Sequence, residues 1–291
     1  MRNIKRTHAE NWSIGLSTCA FGYLEESVFR AYSENGIGVM EISLSPDLSD
    51  ALNLKETASF SKKYGIRIRS FHLPFYPFEG NNLASLDPEV RKRTVSEQSE
   101  RIRRISEAGI PFAVVHPSGE PNPRERRAEM LKACFESLSE LSGVAAAAGV
   151  TLAVENLPRT CIGNNSEEIK FLLEAGPSLC CCFDTNHLLC EDPLSFIRNV
   201  GTRIRAMHVS DYDGIDEKHW LPYEGKTDWI SLVNAMEEAG YDGPFLYEVP
   251  MKCPKTLCRR DLVPADYVRN YRACVGKRPA EPVGSEPPAQ K

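Results

Sequence analysis

Side chains that bind metals and move protons occur at the ends of short apolar segments in this sequence. The segment CFDTNHLLCE, residues 182–191, closes an apolar run and contains Asp184 and His187. A carboxylate and an imidazole are costly to bury unless they are paired, hydrogen-bonded or bound to a metal. An apolar stretch that ends in these two residues therefore indicates a site for chemistry or for a ligand.

The same pattern occurs along most of the chain. Five of the six histidines lie at or just beyond the end of an apolar segment. A single histidine in such a place is usually a hydrogen-bonded structural residue, whereas a series over six successive segments favours one shared site. The polar residues in this series are His72, His116, Glu155, Asp184, His187, His208, Asp211, His219 and Glu248, and Glu41 lies inside the apolar segment that precedes the series.

The apolar segments are rich in β-branched residues and alternate with longer segments of helical periodicity. One helix is expected over residues 47–65, and several helices are expected to end at a glycine that adopts a left-handed C-cap conformation. These glycines are Gly36, Gly65, Gly109, Gly149 and Gly240. The eight predicted strands are 13–18, 38–44, 66–74, 111–118, 151–158, 179–185, 204–211 and 244–250.

Apolar strands joined by crossover helices imply a parallel sheet that helices cover on its outer side. Eight such units predict the α/β class and, within it, a single-domain (β/α)8 TIM barrel. An open doubly wound sheet shares the alternation and is the structural alternative, although its G-x-G-x-x-G fingerprint is absent. We expect the barrel over residues 1–275 and a disordered tail over residues 276–291, which are rich in proline and charge.

Composition narrows the classes of function. The 291 residues are 42% hydrophobic and carry a formal net charge of −5, so the overall charge gives no attraction to nucleic acid or to an anionic membrane. The N-terminal sequence has no apolar stretch long enough for a signal peptide, and we expect a soluble cytoplasmic protein. The ten cysteines are irregularly spaced, which favours reduced side chains that act as small core hydrophobes.

In a barrel of this kind the C-terminal ends of the strands build the active site. Several carboxylates at one barrel mouth repel each other unless a cation neutralises them. The strand-end residues that together offer oxygen and nitrogen ligands for a divalent metal are Glu155, Asp184, His208 and Glu248. We expect Mn²⁺ or Zn²⁺ first, with Co²⁺ and Mg²⁺ as alternatives, and His187 can face the same cavity.

The segments VENLP, FDTNHLL, HVSDYDG and GYDGPFLYEVP resemble the xylose isomerase-like TIM barrel superfamily, with a match over about residues 13–275. This superfamily includes sugar phosphate isomerases and epimerases, ketose 3-epimerases and the endonuclease IV group of DNA repair enzymes. In the epimerase branch the positions that match His187 contact the substrate. In the same branch one divalent metal is bound by the positions that match Glu155, Asp184, His208 and Glu248.

The endonuclease branch adds further ligands and holds three zinc ions. His72 and His116 match two of these extra ligands, and EKHWLPYEG, residues 217–225, resembles the loop that supplies two more. In that loop His219 is aligned, and Glu217 stands where the endonucleases have Asp. Two departures are visible: the chain has PYEG where the endonucleases have Ile-Gly-Glu-Gly, and it lacks the Arg that ketose epimerases place shortly after the strand-seven histidine.

From these residues we expect a metal-dependent isomerase or epimerase of a small sugar, polyol or sugar phosphate. Glu155 and Glu248 would be the paired base and acid that move a proton through an enediolate, and His187 would bind a substrate hydroxyl. Phe75 or Trp220 would supply an apolar wall. We expect a small carbohydrate as the partner, no nucleic acid and no membrane, with a homodimer as an open alternative.

The alternative function is a multi-zinc phosphodiesterase of the endonuclease IV type, which acts in abasic-site repair. It depends on the possible additional metal or substrate contacts His72, His116, Glu217 and His219. A metal-stabilised barrel without catalysis, a sugar sensor, and lyase or dehydratase chemistry on the same fold also remain open at this point.

Overall fold

The computed structural model describes residues 6–284 and shows eight parallel strands closed into a barrel. Because β1 pairs with both β2 and β8, the ring is complete, and the open doubly wound alternative is wrong. The TIM barrel prediction is therefore confirmed. The strands are β1 (Ile14–Ser17), β2 (Val39–Ile42), β3 (Arg67–His72), β4 (Phe112–Val115), β5 (Thr151–Glu155), β6 (Leu179–Asp184), β7 (Ile204–Val209) and β8 (Phe245–Tyr247).

Helices cover the outside of the barrel and connect successive strands. They are α1 (Glu26–Glu34), α2 (Pro46–Ala51), α3 (Leu54–Tyr64), α4 (Pro88–Glu107), α5 (Arg127–Ala148), α6 (Ser166–Leu173), α7 (Pro193–Val200), α8 (Trp229–Glu238) and α9 (Pro264–Val275). The expectation of one helix over residues 47–65 was wrong. Asn53 separates α2 from α3, because its side chain accepts the N–H of Glu56 and caps a new helix.

The alternation of side chains along the strands produces two apolar regions. The larger one lies between the strands and the helices, and a smaller cluster lies inside the barrel. The three consecutive cysteines show the division, since Cys180 and Cys182 belong to the inner cluster and Cys181 to the outer core. All ten cysteines are free, and six of them are buried, as the core role predicts.

The chain beyond α9 packs back on the barrel. Residues 277–284 contain no helix or strand, but Val283 packs against the outer core and the N–H of Arg260 donates to the carbonyl of Gly284. The expected disorder over 276–291 falls partly on residues 285–291, outside the described residues, so this boundary stays a prediction. Within residues 6–284 no helix has the length and apolarity that crossing a membrane requires.

The five glycines expected at helix ends all have φ between 68° and 77°. Gly149, which ends α5, has a φ of 69°, whereas Gly143 lies inside the same helix with open space around its missing Cβ. The two positions therefore predict opposite responses to the same substitution. Gly149→Ala should lower the free energy of unfolding by roughly 1–2 kcal/mol, because a left-handed conformation disfavours a Cβ.

Gly143→Ala should instead raise the free energy of unfolding by roughly 0.5–1 kcal/mol, because alanine favours the helix interior. Urea denaturation followed by circular dichroism measures both changes. Equal signs for the two variants would contradict this account of α5 and its C-cap.

Candidate metal centre and active site

The residues singled out from the sequence lie together at the C-terminal end of the barrel. Glu155 and Asp184 are the last residues of β5 and β6, and His72 is the last residue of β3. His116 and Glu248 directly follow β4 and β8. The same end of the barrel also holds His208 in β7 and three loop residues, His187, Glu217 and His219. The parallel barrel thus brings together residues that are far apart along the chain.

Four of these residues form one largely buried cluster. Glu155, Asp184, His208 and Glu248 each offer a ligand-type atom, and these atoms lie within 4.8 Å of one another. Nδ1 of His208 is 2.9 Å from Oε1 of Glu155 and 3.1 Å from Oε2 of Glu248. Oδ2 of Asp184 is buried and has no hydrogen-bond partner in residues 6–284. The cluster is a donor set that fits a divalent cation, which would satisfy that oxygen.

Burial and charge determine the protonation of this cluster. Burial raises the pKa of Asp184 to about 6, and neighbouring carboxylates add to the increase. Burial opposes the charged form of His187, but Asp184 and Glu217 raise its pKa to about 10. The anionic groups around His208 likewise outweigh burial and raise its pKa well above the usual range. Protonated histidines therefore balance the carboxylates in the metal-free protein, and a bound cation would displace such protons.

The second oxygen of Glu155 faces two further histidines. Oε2 of Glu155 is 3.1 Å from Nε2 of His72 and 3.2 Å from Nε2 of His116. The His116 ring stacks on Phe75, with 4.0 Å between the ring centroids. Glu155 thus lies between two sets of imidazoles, with one oxygen directed at each.

A third group consists of His187, Glu217 and His219. Nδ1 of His187 lies 3.0 Å from the carbonyl oxygen of Asn156, so this nitrogen must carry the hydrogen. Nε2 of the same ring then points toward Oε2 of Glu217, at 3.2 Å. His219 is held from the other side, with Nδ1 3.1 Å from the carbonyl oxygen of Glu248.

A cavity of about 160 Å³ opens above these clusters. Phe75 and Phe78 form its apolar side, so the apolar wall expected from Phe75 is present. Trp220 does not line this cavity, and its backbone instead pairs with Asp211. The volume is suited to a small molecule and lies below the range of pockets that hold drug-sized ligands.

Arg159 joins three loops at the rim of the cavity. Its guanidinium donates to Glu120 in the loop after β4, and to Asp216 at 2.7 Å and Glu217 at 2.9 Å in the loop after β7. Arg159 and His219 have φ of 48° and 50°, in the left-handed region that side chains other than glycine rarely adopt. Such strain persists only where the surrounding contacts determine the conformation, and here both residues line the cavity.

Comparison with known proteins assigns the chain to a family. The sequence model of the family described as xylose isomerase-like TIM barrel matches residues 29–267, which is most of the chain. The protein belongs to this family. The resemblance inferred from the sequence motifs is therefore confirmed.

Two relatives of this xylose isomerase-like barrel are named for different activities. Fructoselysine 3-epimerase of Shigella flexneri is 25% identical over 271 residues, which cover 85% of this chain and 95% of the relative. Probable endonuclease 4 of Thermoplasma acidophilum is 30% identical over 184 residues, which cover 57% and 60% respectively. The crystal structure of a D-tagatose 3-epimerase-like protein shares the fold with a TM-score of 0.76 at 24% identity, covering 91% of this chain and 98% of that one.

Asp211 organises the loop that carries Glu217 and His219. Its side chain is fully buried and accepts hydrogen bonds from four backbone N–H groups and one indole; these donors belong to Tyr212, Tyr223, Gly225, Thr227 and Trp229. A Cβ at Gly225 would lie 2.4 Å from Oδ1 of Asp211. The PYEG departure from the endonuclease pattern therefore lies on a segment that wraps around this carboxylate.

Three residues of this xylose isomerase-like barrel contribute to the site, although no specific role was expected for any of them from the sequence. Asn156 exchanges two hydrogen bonds with the backbone of Asp184 and so joins the ends of β5 and β6. Arg159 forms the rim described above, and Glu41 contacts His208 from below. Asn156 lies within the VENLP motif, and Arg159 directly follows it. Their position in or next to this motif was the sequence signal that could have indicated a role in the site.

We predict that Asp211→Asn lowers the free energy of unfolding by roughly 1–3 kcal/mol, because an amide nitrogen would face backbone donors that then lose their acceptor. Asp242→Asn is the matched control, since Asp242 is exposed, and it should change stability by less than about 0.5 kcal/mol. Chemical denaturation of both variants gives the comparison. Similar stabilities for the two variants would show that Asp211 does not organise the loop.

Proposed function

We propose that the protein is a divalent-metal-dependent epimerase or isomerase of a small sugar, polyol or sugar phosphate. The observation that carries this proposal is the convergence of Glu155 and Glu248 on one point at the base of a small cavity. Their carboxylates lie 2.9 and 3.1 Å from the same nitrogen of His208, although they come from β5 and β8, which are not neighbours in the barrel. The names of the sugar 3-epimerase relatives support the same reaction class.

The metal would be held by Glu155, Asp184, His208 and Glu248. The orphaned Oδ2 of Asp184 and the carboxylate-rich donor set support this assignment, and they suit Mn²⁺, Zn²⁺, Co²⁺ or Mg²⁺. When bound, a divalent cation there would polarise a substrate carbonyl and stabilise the negative charge that develops when the neighbouring C–H is deprotonated.

The chain's own residues then move the proton and hold the substrate. Glu155 and Glu248 reach the cavity from the ends of different strands, so one carboxylate would take a proton from the substrate and the other would return a proton to the opposite face of the enediolate. His187 keeps its Nδ1–H on the Asn156 carbonyl, and its Nε2, which faces Glu217 at 3.2 Å, would bind a substrate hydroxyl. Phe75 and Phe78 exclude water from one side of the cavity.

Removing either carboxylate is expected to stop catalysis. Glu155→Gln and Glu248→Gln should each lower turnover by about 10²–10⁴-fold, because a general acid or base contributes about this much. The assay follows deuterium incorporation from D₂O into a panel of ketoses, ketose phosphates and inososes by NMR, with Mn²⁺ at saturation and with a chelator. Glu238→Gln, at an exposed position on α8, is the control. Full activity in both site variants would refute the acid and base assignment.

The second candidate is a multi-zinc phosphodiesterase. It is favoured by the shared contact of His72 and His116 with one oxygen of Glu155 and by the separate group of His187, Glu217 and His219. Additional metals at these groups would suit attack on a phosphodiester. The charges at the rim of the cavity favour the sugar epimerase or isomerase over the phosphodiesterase. Arg159 is surrounded there by the carboxylates of Glu120, Asp216 and Glu217. This excess of negative charge would repel a DNA backbone.

Metal content separates the two functions. Protein purified without a His tag or added metals is expected to contain one Mn, Zn, Co or Mg atom per chain in elemental analysis, and to leave an abasic DNA duplex intact. Two or three zinc atoms per chain, together with cleavage that a chelator abolishes, would establish the phosphodiesterase instead.

A further inference from the structure

Glu41 is a buried carboxylate that the proposed metal site and reaction do not use. It belongs to β2 and is 1% exposed. Its Oε2 accepts a hydrogen bond from the Ser70 hydroxyl at 2.7 Å and lies 3.1 Å from Nε2 of His208. A buried carboxylate needs such partners, and Glu41 finds them inside the barrel, next to the proposed metal ligands.

The two nitrogens of the His208 ring have different surroundings. Nε2 faces Glu41, while Nδ1 faces Oε1 of Glu155 and Oε2 of Glu248. A neutral imidazole carries one hydrogen, and a carboxylate can only accept. Once a cation has displaced the second proton of the ring, Glu41 would accept the hydrogen that stays on Nε2, and the lone pair of Nδ1 would be directed at the cluster where the cation binds.

Two irregularities in the sheet create this arrangement. The register between β2 and β3 passes from Met40 opposite Ile68 to Glu41 opposite Ser70, so Arg69 is an extra residue in β3. As a result Ile68 packs against the outer core, whereas Ser70 reaches Glu41 inside the barrel. Strand alternation alone would place residues 68 and 70 on the same face.

The second irregularity lies in β7, opposite to β3 in the ring. The register between β6 and β7 passes from Cys181 opposite Ile204 to Cys182 opposite Ala206, so Arg205 is the extra residue. Beyond it, Asp184 lies opposite His208. Because a slip of one residue reverses the face of every later side chain, this bulge determines that His208 points into the barrel.

We propose that Glu41 is a positioning residue that accepts the Nε2 hydrogen of His208, fixes the orientation of its ring and directs Nδ1 at the metal. This inference rests on the proposed metal centre and adds a residue to it. Carboxylates that accept the second N–H of a metal-binding histidine typically improve metal affinity by 10–100-fold. Ser70 would hold Glu41 in place through its hydroxyl.

Metal affinity tests the proposal without any substrate. Glu41→Ala should weaken Co²⁺ binding by about 10–100-fold, measured by competition with a chelator and by the visible absorption of bound Co²⁺. Glu41→Gln keeps an acceptor oxygen and should lose less affinity, and Ser70→Ala should lose less than Glu41→Ala. Glu237→Gln is the matched control, because Glu237 is equally buried, at 2% exposure, but lies on α8 and pairs with Arg6 and Lys277.

The wild-type protein provides a test that does not depend on folding of a variant. With nitrogen-15-labelled histidine and cadmium-113, the His208 signal should show metal coupling at Nδ1 and a retained hydrogen at Nε2. Coupling at Nε2, or unchanged Co²⁺ affinity in Glu41→Ala, would overturn the role of Glu41 while leaving the metal centre intact. A wild-type protein that binds neither metal would overturn the metal centre itself, and the role of Glu41 with it.

Discussion

The structure of the site depends on the burial of like charges around one imidazole. Glu41, Glu155 and Glu248 all approach His208 within about hydrogen-bond distance. Carboxylates so close together repel each other in a poorly hydrated interior, so the fold must supply positive charge or hydrogen at that point. Protonated histidines meet this need in the metal-free protein, and a divalent cation would meet it more completely. The hydrogen bonds, bulges and loops around the site hold these groups against their mutual repulsion.

The support for this arrangement comes mainly from the backbone. Asn156 joins the ends of β5 and β6, and Asp211 gathers the backbone N–H groups of the loop after β7. Both side chains are fully buried and act by fixing the chain that carries the reactive groups. A cluster of converging ligand groups tolerates little displacement, which explains why several polar side chains near the cavity bind only to the backbone.

The sequence predicted the barrel because local signals agree with the fold. Apolar strands and glycines at helix ends are local features, and the parallel barrel then brings the strand ends together, so Glu155, Asp184, His208 and Glu248 could be grouped without coordinates. Features that depend on how strands pair with one another could not be predicted from local sequence signals. The bulges at Arg69 and Arg205 show no local signature, and the contacts of Arg159 with two other loops depend on how those loops fold. The break between α2 and α3 at Asn53 was missed because the helical periodicity of the sequence continues through this N-cap residue.

The positions of the cluster residues along the chain also limit when the site can form. Glu248 follows the last strand, and its partner Glu155 ends the fifth, so these side chains can meet only after β8 has joined the sheet that contains β5. No contiguous part of the chain that lacks β8 contains the complete cluster. During synthesis on the ribosome, the cluster therefore cannot be complete before residue 248 has been added, and a ligand bound there would hold together the segments that carry β5 and β8.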